Sequence, residues 1–183
     1  MASHAGPFYT TSMGVPCSSP AITPFLWFDD CAEEAVAWYC AIFPNARRLS
    51  ELRNSGDAPG PRGGVIVIDF ELSGQRMSAL NGGPGHPFTQ AISLVVTCNS
   101  QQEIDHYWTQ LTAGGGREIQ CGWLVDKFGL SWQVVPAGLR ELLRHPAAMR
   151  AMLGMVKLDL AALQNAAGAS GGGPRVSSGG SDR

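Results

Sequence analysis

One unit occurs twice in this chain, and the two copies align without a gap. The first reads Phe25-Leu26-Trp27-Phe28-Asp29-Asp30 and then Glu34-Ala35-Val36-Ala37-Trp38-Tyr39. The second reads Leu94-Val95-Val96-Thr97-Cys98-Asn99 and then Glu103-Ile104-Asp105-His106-Tyr107-Trp108. Each is a short apolar strand, a helix-capping Asp or Asn, and a helix that carries an aromatic pair at the same place. Gly-punctuated strand candidates follow each copy. A duplicated strand–helix–strands unit pairs two sheets around a shared concavity, and concavities are where small molecules bind.

The 183 residues suit one domain, or two small units that share a core. Net charge is −2, and Arg47-Arg48 is the one basic pair of the folded region. Nucleic acid is therefore excluded as a partner, because phosphate neutralisation needs a basic surface. The longest apolar runs are strand-sized, so no membrane-spanning helix is expected. Residues 1–20 are rich in Ser, Pro, Gly and Thr and lack both a basic and an apolar signal region. They read as a loose, disordered leader in which Met13 is an alternative start. The five cysteines are an odd number with no CxxC spacing, which points to free thiols in a reducing cytoplasm and away from structural zinc.

Ile22 to Phe28 is a strand candidate in which Pro24 suits an edge or a strand start. Asp30 offers an N-cap with Glu33 three residues on, and Ala32, Ala35, Val36, Tyr39, Ile42 and Phe43 share one helical face until Pro44-Asn45. Strands are expected at Arg47 to Arg53, Val65 to Leu72 and Arg76 to Leu80, with a hairpin turn at Ser73-Gly74. The second copy repeats the order. A strand at Ala91 to Cys98 leads to a helix capped by Asn99 or Ser100, with Ile104, Trp108 and Leu111 on its buried face. Strand candidates then fall at Glu118 to Cys121, Trp123 to Val125 and Leu130 to Val135. Beyond Pro136 the pattern turns helical, with Leu139, Leu142 and Leu143 in one stripe and Met149, Met152, Leu153 and Val156 in another. That Met/Leu surface can cover the sheet or a second subunit. From Gly168 the Gly/Ser tail holds too little apolar surface to fold. The expected organisation is thus a leader over 1–20 and a core domain over 21–136, built from modules 21–83 and 88–136. Helices follow over 137–167, and then the tail over 168–183.

Several residues admit a chemical and a plain reading. His86 can be a ligand or general base, or an ordinary loop histidine beside Pro87. His106 sits on a solvated helix face. Cys121 has no cation at fixed spacing to activate it, so it reads as an inert thiol. Asn81 can hydrogen-bond a bound molecule or satisfy the turn it opens. Phe25, Trp27 and Trp123 lie on strands and can line a flat apolar pocket or simply pack.

The order Thr23-Pro24-Phe25-Leu26-Trp27-Phe28-Asp29, Ala32-Glu33-Glu34-Ala35, Trp38-Tyr39 and Ile42-Phe43-Pro44-Asn45 resembles one known family. So do Ala79-Leu80-Asn81-Gly82-Gly83-Pro84, Cys121-Gly122-Trp123-Leu124, Asp126-Lys127-Phe128-Gly129 and Ser131-Trp132-Gln133-Val134-Val135-Pro136. This is the PhnB-like branch of the vicinal oxygen chelate superfamily, the glyoxalase/bleomycin-resistance-like proteins, a branch that carries the label 3-demethylubiquinone-9 3-methyltransferase. The resemblance implies an α+β fold of tandem βαβββ modules. They would form a curled mixed sheet around a central cavity, with C-terminal helices added. Metal-dependent members place His, Gln or Glu ligands on the first and last strand of each unit. Here those positions fall at Thr23 or Pro24, Ile92 or Ser93, Ser78, and Gln133. One neutral amide cannot hold a divalent cation against water, so no metal is expected. Gly82-Gly83-Pro84-Gly85 precedes no helix pattern, so no nucleotide-type methyl donor is expected either, and no cofactor is assigned. The ligand homology turns Gln133 to the cavity, which sends Trp132 to the helix-side core. The expected site is Phe25, Trp27, Asn81, Trp123 and Gln133, binding a small apolar or aromatic metabolite in a cytoplasmic homodimer. The alternative is an enzyme of the same fold, either a metal-assisted isomerase or dioxygenase or the transferase of the family label.

Overall fold

A computed structural model describes residues 22–169. The expected leader, Cys17 and most of the Gly/Ser tail lie outside them. The first module runs β1 (Phe25–Phe28), α1 (Ala32–Ile42), β2 (Arg47–Arg53), β3 (Val65–Leu72) and β4 (Gln75–Asn81). The second runs β5 (Leu94–Cys98), α2 (Gln101–Thr112), β6 (Arg117–Glu118), β7 (Trp123–Val125) and β8 (Ser131–Pro136). Each forms a four-stranded mixed sheet, in the orders β1-β4-β3-β2 and β5-β8-β7-β6. β1 lies parallel to β4 and β5 parallel to β8, while the other pairs are antiparallel. The duplication is thus a duplication of topology. The two sheets stay separate and do not close into one.

Each sheet buries one face under its helix. On β3, Ile68, Phe70 and Leu72 are buried, and on β4 so are Met77 and Ala79. They meet Ala35, Val36, Tyr39 and Ile42 of α1, in the alternation a half-buried strand requires. The β3–β4 turn has positive φ at both Ser73 (47°) and Gly74 (86°), the type I′ geometry that suits the twist of a two-residue hairpin. The expected Asp30 cap of α1 is not used. Cys31 holds the N-cap position without a side-chain bond, and the Asn81 Oδ1 atom accepts from Ala32 N instead (2.8 Å). The cap comes from across the sheet, and no local pattern encodes it. α2 is capped locally: the Ser100 hydroxyl accepts from Glu103 N, and the Glu103 carboxylate accepts from Asn99 N.

The modules meet helix side to helix side. Phe43, just past α1, stacks on Trp132 (5.4 Å, 21°) and on Tyr107 (5.2 Å, 19°). Beneath them lies Asp126, only 3% exposed. Its carboxylate accepts from Tyr39 Oη and Trp132 Nε1 (2.8 Å each), and from Phe128 N and Leu130 N (2.9 and 3.0 Å). Burial raises its pKa, and the four donors offset part of that rise. The stability tied to its protonation is therefore fully present below the ordinary Asp range and is lost as pH rises through the raised value.

The C-terminal helices α3 (Leu139–Leu142), α4 (Pro146–Leu153) and α5 (Leu160–Ala169) dock on the second module. Cys121 N and Gly122 N donate to Met155 O and Val156 O (2.8 Å each). The expected strand over Glu118 to Cys121 stops at Glu118 because Cys121 turns left-handed (φ 61°) to make that contact. Leu158 and Leu163 are fully buried, whereas Leu153 stays 57% exposed. Part of the Met/Leu surface covers the module and part remains open.

Asp126→Ala orphans two buried side-chain donors at about 1–3 kcal/mol each. It should cost about 3–5 kcal/mol in urea unfolding, and Trp132→Ala a similar amount through its cavity. Tyr39→Phe, which loses one bond of the four, should cost about 1–1.5 kcal/mol.

Candidate functional site

The face of the first sheet away from α1 holds two of the expected site residues, Phe25 and Trp27. Strand register sorts it into three rows. Trp27, Leu80, Val67 and Leu52 lie side by side and are all apolar. Phe25, Ser78, Asp69 and Ser50 form the next row. Arg76, Glu71 and Arg47 form the third. A β-bulge between Arg48 and Ser50 re-phases β2 so that Ser50 and Leu52 share the face of Arg47. Phe25 is 57% and Leu52 59% exposed, which is unusual for large apolar side chains.

Trp27 is held firmly. Its Nε1 donates to Gly83 O (2.8 Å), and the His86 ring meets it edge-on at 4.4 Å. Its other neighbour is Gly82, where a Cβ would lie 2.4 Å from the indole ring. Glycine is needed here for close approach, since Gly82 does not have a positive φ. Phe25, Trp27 and His86 border a cavity of about 210 Å³ together with Phe88, Ile92, Ser93, Leu94 and Leu130. A cavity of about 300 Å³ opens over Ser50, Asp69, Arg76 and Ser78.

On the second sheet, Trp123, Gln133 and Val95 are cross-strand neighbours on the face away from α2. Gln133 Nε2 donates to Ser93 Oγ (2.8 Å). Trp132 points the other way, into the helix-side core, and is 2% exposed.

The expected site residues thus divide into groups. Phe25 and Trp27 share one face and one cavity. Trp123 and Gln133 share a face of the other module. Asn81 joins neither group. It lies beside Phe28 on the helix side, where its amide donates to Glu33 Oε2 (2.6 Å) and Val65 O (3.0 Å). With Oδ1 on Ala32 N, its capacity is spent on holding α1. Asn81 borders a cavity of about 540 Å³ at the end of the sheet, but its hydrogen bonds are internal. Sequence reasoning did not single out Ser50 or Asp69, and it left His86 between a chemical role and an ordinary loop histidine; here its ring packs on Trp27. Only the alternation along β3 could have pointed to Asp69.

A cavity of about 640 Å³ runs along β5 between the β3–β4 hairpin and α2. Its walls include the core aromatics Phe43, Tyr107 and Trp132, together with Asn99 and Glu103, whose carboxylate already accepts from Asn99 N at the start of α2.

The residues do not fit a chelated metal. Of the ligand positions, Ser78 donates its proton to Asp69 (2.6 Å) and Gln133 turns its amide nitrogen to Ser93. Among the described residues no cluster of three or more His, Cys, Asp or Glu could hold an ion. Nor do they fit a nucleotide-type donor, because no helix begins between Asn81 and Gln101. The four described cysteines are free. Burial pushes the Cys98 thiol up to about 11 and raises Cys31 and Cys40, which argues against thiolate chemistry at these three. No described helix is long and apolar enough to cross a membrane.

Tandem βαβββ modules, each with a helix-covered and an open sheet face, define a vicinal oxygen chelate fold. The sequence pattern of the 3-demethylubiquinone-9 3-methyltransferase family matches residues 20–135, and the chain belongs to that PhnB-like family. The PhnB protein of Bacillus cereus is similar over 64% of this chain and 100% of its own, at 35% identity and a TM-score of 0.59. The Pseudomonas aeruginosa protein PA1353 shares the fold over 64% of this chain and 98% of its own, at 20% identity and a TM-score of 0.53. No curated protein matches the chain.

Gly82→Ala should drive the Trp27 indole off its seat, because the new methyl would occupy ring space. The tryptophan emission should shift towards that of exposed indole, and the shift should vanish when Gly82→Ala is made in a Trp27→Phe background.

Proposed function

We propose that this chain binds a small apolar or aromatic molecule on its open sheet faces. The observation that supports this most is the Phe25–Trp27 face: exposed aromatic surface, a pinned indole, and a cavity bordered by both rings. Few polar groups reach the apolar row, so contact area would supply affinity and the neighbouring polar row orientation. On the second module, Trp123 and Gln133 offer a smaller surface of the same kind.

Binding without a chelated metal is the reading that the ligand positions favour. The family label suggests methyl transfer to a quinone-like acceptor. A quinone or phenol ring suits the aromatic row, but among the described residues the glycines after Asn81 open no helix that could seat a nucleotide-type methyl donor. Free thiols are in keeping with a cytoplasmic setting. A homodimer is part of the same proposal. Phe25, Leu52 and Val95 on the sheets, Ile92 just before β5, and Met149, Leu153 and Val156 by the C-terminal helices leave more apolar surface open than a small soluble monomer usually keeps.

Phenols and quinones should quench tryptophan emission saturably. Trp27→Ala or Trp123→Ala should weaken that binding about tenfold, near 1.4 kcal/mol, without loss of the folded state. Saturable binding unchanged in both variants would rule out these faces. A native mass spectrum of untagged protein should show the dimer mass without stoichiometric metal. A monomer at micromolar concentration, or one zinc, nickel, iron or manganese per chain that is lost in Gln133→Ala, would overturn the respective part of the proposal.

A further inference from the structure

The middle row of the first open face has a defined hydrogen-bonding sense. Ser50 Oγ donates to Asp69 Oδ2 and Ser78 Oγ donates to Asp69 Oδ1, both at 2.6 Å. An ionised carboxylate has no proton to give, so both hydroxyl protons are committed to it. These two bonds are also what holds the Asp69 carboxyl below its usual range, keeping it charged at neutral pH. Towards the cavity the three side chains therefore present lone pairs only: two hydroxyl oxygens and the free lone pairs of a carboxylate. Such a cluster accepts and cannot donate.

The surroundings narrow the class. Glu71, in the next row, is engaged by Arg47 at 3.1 Å, so Asp69 carries the cluster's charge. Arg76 borders the same cavity and acts on Asp69 itself, so its positive charge offsets part of the carboxylate's and the cluster takes one positive charge at most. On the other side, two residues along each strand and about 7 Å away, lies the apolar row of Trp27, Leu80 and Val67. The face thus grades from apolar to acceptor within the length of a small molecule.

We infer that this face binds a monoamine: an apolar, preferably aromatic, body on the Trp27 row, with a single protonated primary amine two or three atoms away on Ser50, Asp69 and Ser78. The inference rests on the proposal that this face is a small-molecule site, and gives that site its ligand class.

The test uses the full chain and three probes of one shape: 2-phenylethylamine, 2-phenylethanol and 3-phenylpropionate. Backbone amide shifts in a nuclear magnetic resonance titration give the affinities and the location. The amine should bind about tenfold tighter than the alcohol, the scale of one charge-assisted hydrogen bond, and the carboxylate weakest. Asp69→Asn should bring amine and alcohol to equal affinity. Ser50→Ala, on the outer strand, is the second variant should Asp69→Asn fail to fold, and it should narrow the same gap. Equal binding of amine and alcohol, tighter binding of the carboxylate, or a preference for the amine that survives both substitutions would overturn the amine assignment, yet leave the small-molecule site standing. No shift at Phe25, Trp27 or Asp69 with these probes or with any phenol or quinone would overturn the site itself.

Discussion

The carboxylate of Asp126 is the interaction on which the two-module arrangement depends. It lies where α1 of the first module meets β8 of the second, and it binds one side chain from each. A buried charge with no partners would be prohibitive. With four donors it becomes a fixed point that demands one geometry. Around it, Phe43 stacks between Trp132 and Tyr107, and Lys127 pairs with Glu34 while lying over Trp38 and Phe128. The helix sides are committed to each other, and each sheet is left with one open face.

Module packing therefore decides which sheet faces stay open. Trp132 and Gln133 are adjacent in sequence, yet one closes the core and the other faces outward. The same alternation places Asp69 opposite Ile68 and Phe70, in a row with two serines. The family's metal positions hold groups that hydrogen-bond to one another here, Ser78 to Asp69 and Gln133 to Ser93. The first module's open face grades from an apolar row to polar rows.

Much of the architecture can be read directly from the chain. The gapless repeat places β1 and α1 against β5 and α2 at one constant offset, and the strands at Arg47–Arg53 and Val65–Leu72 fall where alternation puts them. Ser73-Gly74 marks its hairpin through local backbone preference. These signals are legible because strand alternation, helix periodicity and turn chemistry act over a few neighbouring residues. Strand ends are less so. β5 begins at Leu94 rather than Ala91, and β6 is cut short by a contact with residues 155–156, more than thirty positions away.

What the sequence determined by itself is the repeat, the class of fold, the family, and which of Trp132 and Gln133 turns inward once the strand is placed. What only the tertiary structure decided is the use of its polar residues. Asn81 could serve a ligand or a turn by sequence alone, and the fold spends it on the N-terminus of α1, a partner 49 residues away. Asp126, in sequence only part of the Asp126-Lys127-Phe128-Gly129 motif, becomes the buried junction of two modules. Asp69, Ser50 and Ser78 come from three strands and meet only through sheet register and the bulge in β2. A hydrogen bond is made by atoms within about 3 Å, and chain separation does not limit it. Only the folded path brings such residues together.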